Sequence, residues 1–240
     1  MSIRIVSLRV GLPRSYGTEG AADPFERPWI SAIAKEAVDR PLHLGREGLE
    51  GDGVADTGVH GGPEKAVLAG PGEHLAFWRE LLARELEGRE DFGPGAFGEN
   101  LVLAGALEGD VCIGDSFAVG GAVVQISQPR APCWKQARRW RRKDLALQMQ
   151  RTGFTGWYFR VLREGLVAPG DELRLIERPL PAWTVARAHE VMHGRPADRE
   201  AAAALAALPQ LAGSWRERLG RLAAGEDGST APRLLGSNED

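Results

Sequence analysis

The sequence lacks a long uninterrupted apolar stretch. No run approaches the ~20 apolar residues that a membrane-spanning helix needs. The first eight residues also lack the charged and apolar regions of a secretory signal peptide. These two absences predict a cytoplasmic protein that makes no membrane contact.

Cysteine and lysine are also scarce. The chain has only two cysteines, which cannot build a disulfide framework, and four of its 30 basic residues are lysines. The formal net charge is −3, so general attraction to nucleic acid is not expected. Hydrophobic residues at 43% and charged residues at 26% are ordinary globular values and predict a packed core.

The usual redox motifs are missing too. The sequence contains no CxxC pair and no flavin motif. Residues 51–56 resemble a dinucleotide fingerprint, but they lack its third glycine, the strand before it and the helix after it. The chain also lacks the regular alternation of strands and helices that is typical of a doubly wound sheet. A nicotinamide or flavin site within this chain is therefore not expected.

Short strands and turns dominate the first three quarters of the chain, with 31 glycines and 15 prolines in the whole sequence. We predict a mainly β protein with inserted helices, built as a closed β-barrel. Apolar patterning predicts strands at residues 3–10, 29–38, 41–46, 95–103, 116–119, 122–127 and 172–176, and helices at 73–86 and 144–151.

The composition becomes helical after Pro179 and Pro181. Three helices are predicted at residues 184–193, 198–208 and 214–224, with Thr184, Asp198 and Ser214 as N-caps. We therefore expect a barrel domain at 1–178, a three-helix extension at 179–224 and a disordered tail at 225–240, where apolar anchors are few.

Two segments suit an anionic or heteroaromatic ligand. In residues 60–65, His60-Gly61-Gly62-Pro63-Glu64-Lys65, two glycines allow backbone N–H groups to approach an anion, and Lys65 adds positive charge. A tight turn between strands explains the same residues equally well. Asn100 can both donate and accept hydrogen bonds, which suits a pterin edge, although alone it also fits a turn.

The two cysteines lie in different surroundings. Cys112 lies in an apolar run and is expected to be a buried, inert thiol. Cys133 lies in residues 128–135, between prolines and a basic run, where nearby cations favour the thiolate form that binds metal. This observation alone is equally consistent with an exposed loop cysteine that has no function.

Two further patterns have simpler explanations. The basic run at residues 138–143 mixes arginine with Trp140, but a solvated face explains it better than nucleic-acid binding. Residues 189–193, His-Glu-Val-Met-His, match a zinc-protease pattern that needs a third ligand, for which Glu217 is the best-spaced candidate. Packed helix positions are the favoured explanation, and a zinc metalloprotease is a minor alternative.

The ordered set of motifs resembles bacterial MOSC-domain proteins. The shared segments are His60–Lys65, residues 97–101, residues 128–135 and Thr155-Gly156-Trp157-Tyr158, in the order and spacing of that family. The resemblance covers roughly residues 1–178, and the helical tail is similar to the extension of one MOSC subgroup. A fold like the pyruvate-kinase barrel domain is implied.

The resemblance also implies a molybdenum cofactor of the molybdopterin type. Cys133 is then the metal ligand and catalytic residue, with His60, Gly61, Gly62, Lys65, Asn100 and Arg130 around the cofactor. Relatives include the mitochondrial amidoxime-reducing component, which reduces N-hydroxylated compounds. Bacterial members with the three-helix tail are associated with detoxifying N-hydroxylated nucleobase analogues.

The implied function is therefore reduction of a small N-hydroxylated substrate. Because the chain lacks its own electron-transfer motifs, a separate reductase must supply the electrons. Two alternatives remain: a sulfur carrier or sulfurtransferase that holds a persulfide on Cys133, and a protein that binds the cofactor without catalysis. The sequence does not determine the oligomeric state.

Overall fold

The computed structural model describes residues 2–226 and 228–238. The strands in this part of the chain are β1 (Ile3–Val10), β2 (Arg14–Tyr16), β3 (Trp29–Ser31), β4 (Glu36–Val38), β5 (Leu42–Gly45), β6 (Gly48–Leu49), β7 (Val67–Pro71), β8 (Leu101–Ala104), β9 (Ser116–Val119), β10 (Ala122–Pro129), β11 (Trp157–Arg163), β12 (Gly165–Val167) and β13 (Glu172–Glu177).

The helices fall into an inserted group and a C-terminal group. They are α1 (His74–Leu81), α2 (Trp134–Trp140), α3 (Leu145–Thr152), α4 (Val185–His193), α5 (Arg199–Ala206), α6 (Gly213–Ala223) and α7 (Ala231–Leu234). None of the described helices has the length and apolarity required to cross a bilayer.

Seven strands close into the predicted β-barrel. The order is β13-β9-β10-β11-β7-β8-β1, and β1 pairs back onto β13 through Ile3 and Leu173. Only the β7–β8 pair is parallel among these neighbours. β4 pairs with the end of β1, from Leu8 to Val10, beyond the residues that pair with β13, and β5, β6 and β12 form a separate small sheet. The closed-barrel prediction is therefore confirmed.

The barrel closes because its strands place apolar side chains on one face. In β1, buried Ile3 and Ile5 alternate with exposed Arg4 and Val6, the period of two of a half-buried strand, and a register shift between Ile5 and Ser7 then places Leu8 in the core. In β10, inward Val124 and Ile126 alternate with partly exposed neighbours until the strand nears residue 127. From there to Pro129 every residue is buried.

Helices α1, α2 and α3 cover one side of the barrel and form a second apolar core. Its largest members are Trp78, Trp140, Phe92 and Phe97. The indole of Trp140 donates a hydrogen bond to the Ala96 carbonyl at 2.9 Å. This core fixes α2, and therefore also Cys133, the residue that immediately precedes it.

The three-helix unit shares its core with the barrel. Val185, Ala188 and Leu205 belong to the same buried cluster as the barrel interior. Thr184 and Asp198 cap α4 and α5 with their side chains, as predicted. The prediction for Ser214 is wrong. α6 begins at Gly213, whose N–H is bound by the Glu64 carboxylate at 2.8 Å.

Several predicted boundaries also change. The helix expected at residues 73–86 ends at Leu81. The strand expected from residue 95 begins only at Leu101, because Gly95 and Gly98 have φ of 79° and 92° and turn the chain.

The tail differs from the disorder expected at residues 225–240. Leu234 is buried in α7, and Asn238 accepts a hydrogen bond from the Arg138 guanidinium at 2.9 Å. These partners lie far away in sequence, so composition does not reveal them. Asp227, Glu239 and Asp240 fall outside the described residues.

Candidate functional site

A cleft of about 640 Å³ lies at the end of the barrel where β10 leads into α2. It brings together most of the residues that the sequence predicted for the site, namely His60, Gly61, Lys65, Asn100, Arg130 and Cys133. Gly62 is adjacent in the chain but does not line the cleft. Segments more than 70 residues apart thus meet around one cysteine.

Cys133 is held in the cleft by its neighbours in the chain. Its backbone N–H donates to the Gln136 side chain at 2.9 Å, which fixes the start of α2. Upstream, the Arg130 N–H donates to the Gly156 carbonyl at 3.0 Å, and Arg233 donates to the Pro132 carbonyl. The thiol is half-buried and faces the cleft from a loop that is anchored on both sides.

Arg130 has an unused donor in the cleft. Its side chain is 4% exposed, and Nη2 donates to the Phe97 carbonyl at 2.7 Å. Nη1 is buried and finds no acceptor among the described residues. A buried N–H without an acceptor costs about 1–3 kcal/mol, more when charged. The arrangement suits a ligand that supplies an acceptor here.

Positive charge accumulates beside Cys133. Among the described residues, Lys65, Arg130 and Lys135 form no ion pair, although all three line the cleft. Burial and the charges of Lys135, Lys65 and Arg130 together lower the pKa of His60 to about 4. His60 is therefore neutral at pH 7, and the three cations make this part of the cleft attractive to an anion.

The Gly61-Gly62 pair adopts the left-handed conformation that the sequence made possible. The φ values are 74° and 81°. A Cβ on Gly61 would lie 2.9 Å from the Val54 side chain. The turn continues with the Lys65 N–H donating to the Gly62 carbonyl at 2.8 Å. Glycine at 61 is therefore required by both conformation and space.

A buried ion pair beside the cleft was not predicted from the sequence. Lys35 and Asp52 form a salt bridge, and Asp52 also accepts from the Gly11 N–H and the Asn100 amide, each at 2.8 Å. Burial lowers the pKa of Lys35, and the Asp52 charge opposes this shift. The network ties three separate segments of the cleft wall together.

Asn100 has its hydrogen bonds taken up by this network. Its amide nitrogen bonds Asp52 and the Arg9 carbonyl, and its oxygen accepts from the Leu68 N–H at 3.1 Å. The side chain is 4% exposed. These contacts give Asn100 a structural role in the wall, while its contact with a pterin stays a prediction.

Tyr158 also lines the cleft and was only part of a motif in the sequence. Burial raises the pKa of its phenol, and the nearby Cys133 charge raises it further against the opposing effect of Arg130. The phenol is therefore a protonated donor at neutral pH. In the sequence, Tyr158 was marked only as the last residue of the family motif Thr155-Gly156-Trp157-Tyr158.

The backbone before Tyr158 is fixed by a buried carboxylate. Glu108 accepts from the N–H groups of Thr155 and Gly156 at 3.1 and 2.8 Å, and it pairs with His74 at 2.8 Å. Gly156 has φ of 74°, and a Cβ there would lie 2.1 Å from the Ala69 carbonyl oxygen. Glu108 and Gly156 thus position Tyr158 indirectly.

The histidines at 189 and 193 do not form a zinc site with Glu217. Nε2 of His189 is bonded to the Gln150 carbonyl at 2.7 Å, and Glu217 pairs with Arg221 at 2.8 Å. Within residues 2–226 and 228–238, no three His, Cys, Asp or Glu side chains are grouped to hold a metal ion. The geometry therefore favours the packing explanation of this pattern.

The half-buried His193, whose Nε2 is enclosed, is expected to make the stability of the protein depend on pH. Burial, together with the charges of His189, Arg233, Arg218 and Arg195, lowers its pKa to about 2. The unfolded chain takes up this proton below about pH 6.5 while the folded chain does not, so stability falls as the pH drops. His193→Gln should remove about 2 kcal/mol of the stability lost between pH 7.5 and pH 5.

Urea unfolding at the two pH values measures this difference. His43→Gln is the matched control, because the His43 side chain is 53% exposed. An unchanged pH dependence in the His193 variant would show that this histidine is protonated in the folded protein.

Comparison with known proteins agrees with this architecture. The MOSC domain model matches residues 56–174, and the model of the YiiM-like, 3-alpha helix domain matches residues 183–222. The chain is 41% identical to Protein YiiM of Escherichia coli over 77% of its own length and 81% of that protein. A protein named Reductase from Gibberella moniliformis is 37% identical over 69% of this chain but only 29% of its own length.

A solved structure extends the agreement to three dimensions. The crystal structure of YiiM from Geobacillus stearothermophilus superimposes with a TM-score of 0.74 at 36% identity, covering 92% of this chain and 99% of the other. Together with the sequence identities, this shows the family. The chain belongs to the MOSC family and carries a YiiM-like three-helix domain after its barrel.

Proposed function

We propose that this protein is a molybdenum cofactor-dependent reductase of N-hydroxylated compounds, such as N-hydroxylated nucleobase analogues. The observation that carries the proposal is the placement of Cys133 in one cleft with three cations that lack ion-pair partners among the described residues. MOSC domains are associated with molybdenum cofactor binding in general.

The cleft fits such a group in size and chemistry. Its volume of about 640 Å³ lies within the ordinary range for cofactor pockets. Cys133 offers a soft thiolate ligand for the metal. Lys65, Arg130 and Lys135 would hold the anionic end, and the unused Nη1 donor of Arg130 would find its acceptor there.

The proposed reaction is balanced without a protein nucleophile. Reduction of N–OH to N–H consumes two electrons and two protons and releases one water. When bound, the molybdenum group would supply the two-electron, oxygen-transfer chemistry. The protonated phenol of Tyr158 faces the same cleft as Cys133 and can deliver a proton to the departing oxygen.

Electrons must come from a separate reductase under this proposal. The sequence has no CxxC pair and no complete nucleotide fingerprint of its own. Redox chemistry is supported by the Gibberella relative, whose name is Reductase.

Metal and pterin analysis of freshly purified protein is the direct test. We expect molybdenum and pterin in near-equal amounts, together with reduction of an N-hydroxylated purine when a donor is supplied. Labile sulfur without molybdenum would favour a Cys133 persulfide, which the same cations would also stabilise. Cofactor without turnover would favour a carrier. Either result would overturn the reductase proposal.

Substitution of the cations should weaken retention of the cofactor. Lys65→Ala and Arg130→Lys each disturb a charge-assisted contact, worth about 1.5–3 kcal/mol, so we expect retention on the order of 10–150-fold weaker. Pterin that remains after gel filtration is quantified. Lys143→Ala, on an exposed residue outside the cleft, is the control. Full occupancy in both cleft variants would refute the anion-anchor role.

A further inference from the structure

A second, smaller cleft lies between α4, α6 and the segment before α7. Its volume is about 190 Å³, and four arginines line it: Arg195, Arg218, Arg221 and Arg233. Among the described residues, Glu226 is the only carboxylate in the lining. This cleft shares no lining residue with the one that holds Cys133.

The arginines are only partly satisfied by the protein. Arg221 pairs with Glu217 at 2.8 Å, and Arg195 donates to the Gly194 carbonyl at 2.8 Å. Arg233 donates to the Pro132 carbonyl and to the Gln150 side chain. No described residue accepts a hydrogen bond from the Arg218 guanidinium. The cleft therefore has unused donors that can reach a ligand.

The four charges also repel one another. Burial and the Arg218 charge together lower the pKa of Arg233 to about 10. Burial likewise lowers the pKa of Arg218, with further lowering by Arg195 and Arg221. Arg218 and Arg233 are half-buried, so the repulsion between their charges raises the energy of the folded state, and an anion between them would reverse the sign of that interaction.

We infer that this cleft binds a phosphate-sized oxyanion, either free phosphate or the terminal group of a phosphate monoester. Four guanidinium groups supply planar, paired donors that match phosphate oxygens. Ser229 and Thr230 line the same cleft and add hydroxyl groups. The small volume suits one tetrahedral anion, whereas an acidic protein surface would need a broad, open face.

The proposed site has a defined structural consequence. Arg233 lies in α7 and also holds the carbonyl that precedes Cys133. An anion bridging Arg218 and Arg233 would tie α6 to α7 and stabilise the C-terminal segment. This inference does not depend on the proposed reductase activity, because no residue of the molybdenum site takes part.

Equilibrium binding of inorganic phosphate and of a sugar phosphate tests the inference, at constant ionic strength with chloride as the reference. We expect Arg218→Gln to weaken one phosphate-binding event at least 10-fold and to reduce thermal stabilisation by phosphate. Arg216→Gln is the matched control, because Arg216 is exposed on the same helix and does not line the cleft. Arg221→Gln provides a second cleft variant.

Lys65→Ala separates this site from the larger cleft, which also attracts anions. Lys65→Ala should leave unchanged the phosphate binding that Arg218→Gln weakens. Tighter binding of inorganic phosphate would identify free phosphate as the ligand, and tighter binding of the sugar phosphate would identify a phosphate monoester. Equal phosphate binding by wild type and Arg218→Gln would overturn the inference. So would equal stabilisation by chloride, or binding of acidic proteins to this face without phosphate binding.

Discussion

Cys133→Ser abolishes reduction of N-hydroxylated bases and leaves a folded protein, if the proposed metal ligand is correct. A hydroxyl is a harder and far less acidic ligand than a thiol, so it cannot replace the thiolate on the metal. Serine occupies nearly the same volume, and Cys133 is only half-buried, so the fold should be retained. Turnover and molybdenum content of the purified variant measure the effect.

Cys112→Ser is the matched control for this experiment. Cys112 is 2% exposed, with its sulfur 3.7 Å from the Pro181 carbonyl, and burial raises the pKa of its thiol. We expect about 1 kcal/mol of lost stability with turnover intact. If well-folded samples of both variants lost turnover equally, the roles of the two cysteines would have been wrongly assigned.

Asp52→Ala is expected to destabilise the fold strongly. It removes the partner of Lys35 and leaves that ammonium buried and unpaired, which costs about 3–5 kcal/mol. It also removes an acceptor from the Gly11 N–H and the Asn100 amide. Urea unfolding measures the loss of free energy.

Glu50→Ala is a suitable comparison, because Glu50 is also acidic and lines the same cleft. Its side chain is 57% exposed and lies 3.9 Å from Arg40, so its removal should cost less than about 1 kcal/mol. Adding Lys35→Met to Asp52→Ala should recover part of the loss, since the unpaired charge is then gone. Equal losses for Asp52→Ala and Glu50→Ala would mean that the Lys35 pair contributes little.

The sequence predicted what depends on local pattern. Alternating apolar residues marked β1 and the hairpin of β9 and β10, and their closure into a barrel is confirmed. The caps at Thr184 and Asp198 follow from residue type at a helix start. The motif around Cys133 was recognisable because the order of several segments, rather than any single one, resembles a family.

The rest depends on contacts between distant segments. Lys35, Asp52 and Asn100 each look ordinary locally, and only the closed barrel brings them together. The same is true of the arginines at 195, 218, 221 and 233. The tail was expected to be disordered because it has few apolar residues, but Leu234 is buried, and the polar side chains of Arg233 and Asn238 also bind the folded body.

The position of these tail contacts has a practical consequence for preparing the protein. Arg233 and Asn238 donate to the carbonyls of Pro132 and Trp134, the two neighbours of Cys133 in the chain. A protease that trims the chain before Arg233 would leave the barrel core intact and release both restraints on the cysteine loop. Intact-mass measurement should therefore precede any comparison of activity between preparations, and an affinity tag fused to this end would lie close to the cysteine loop.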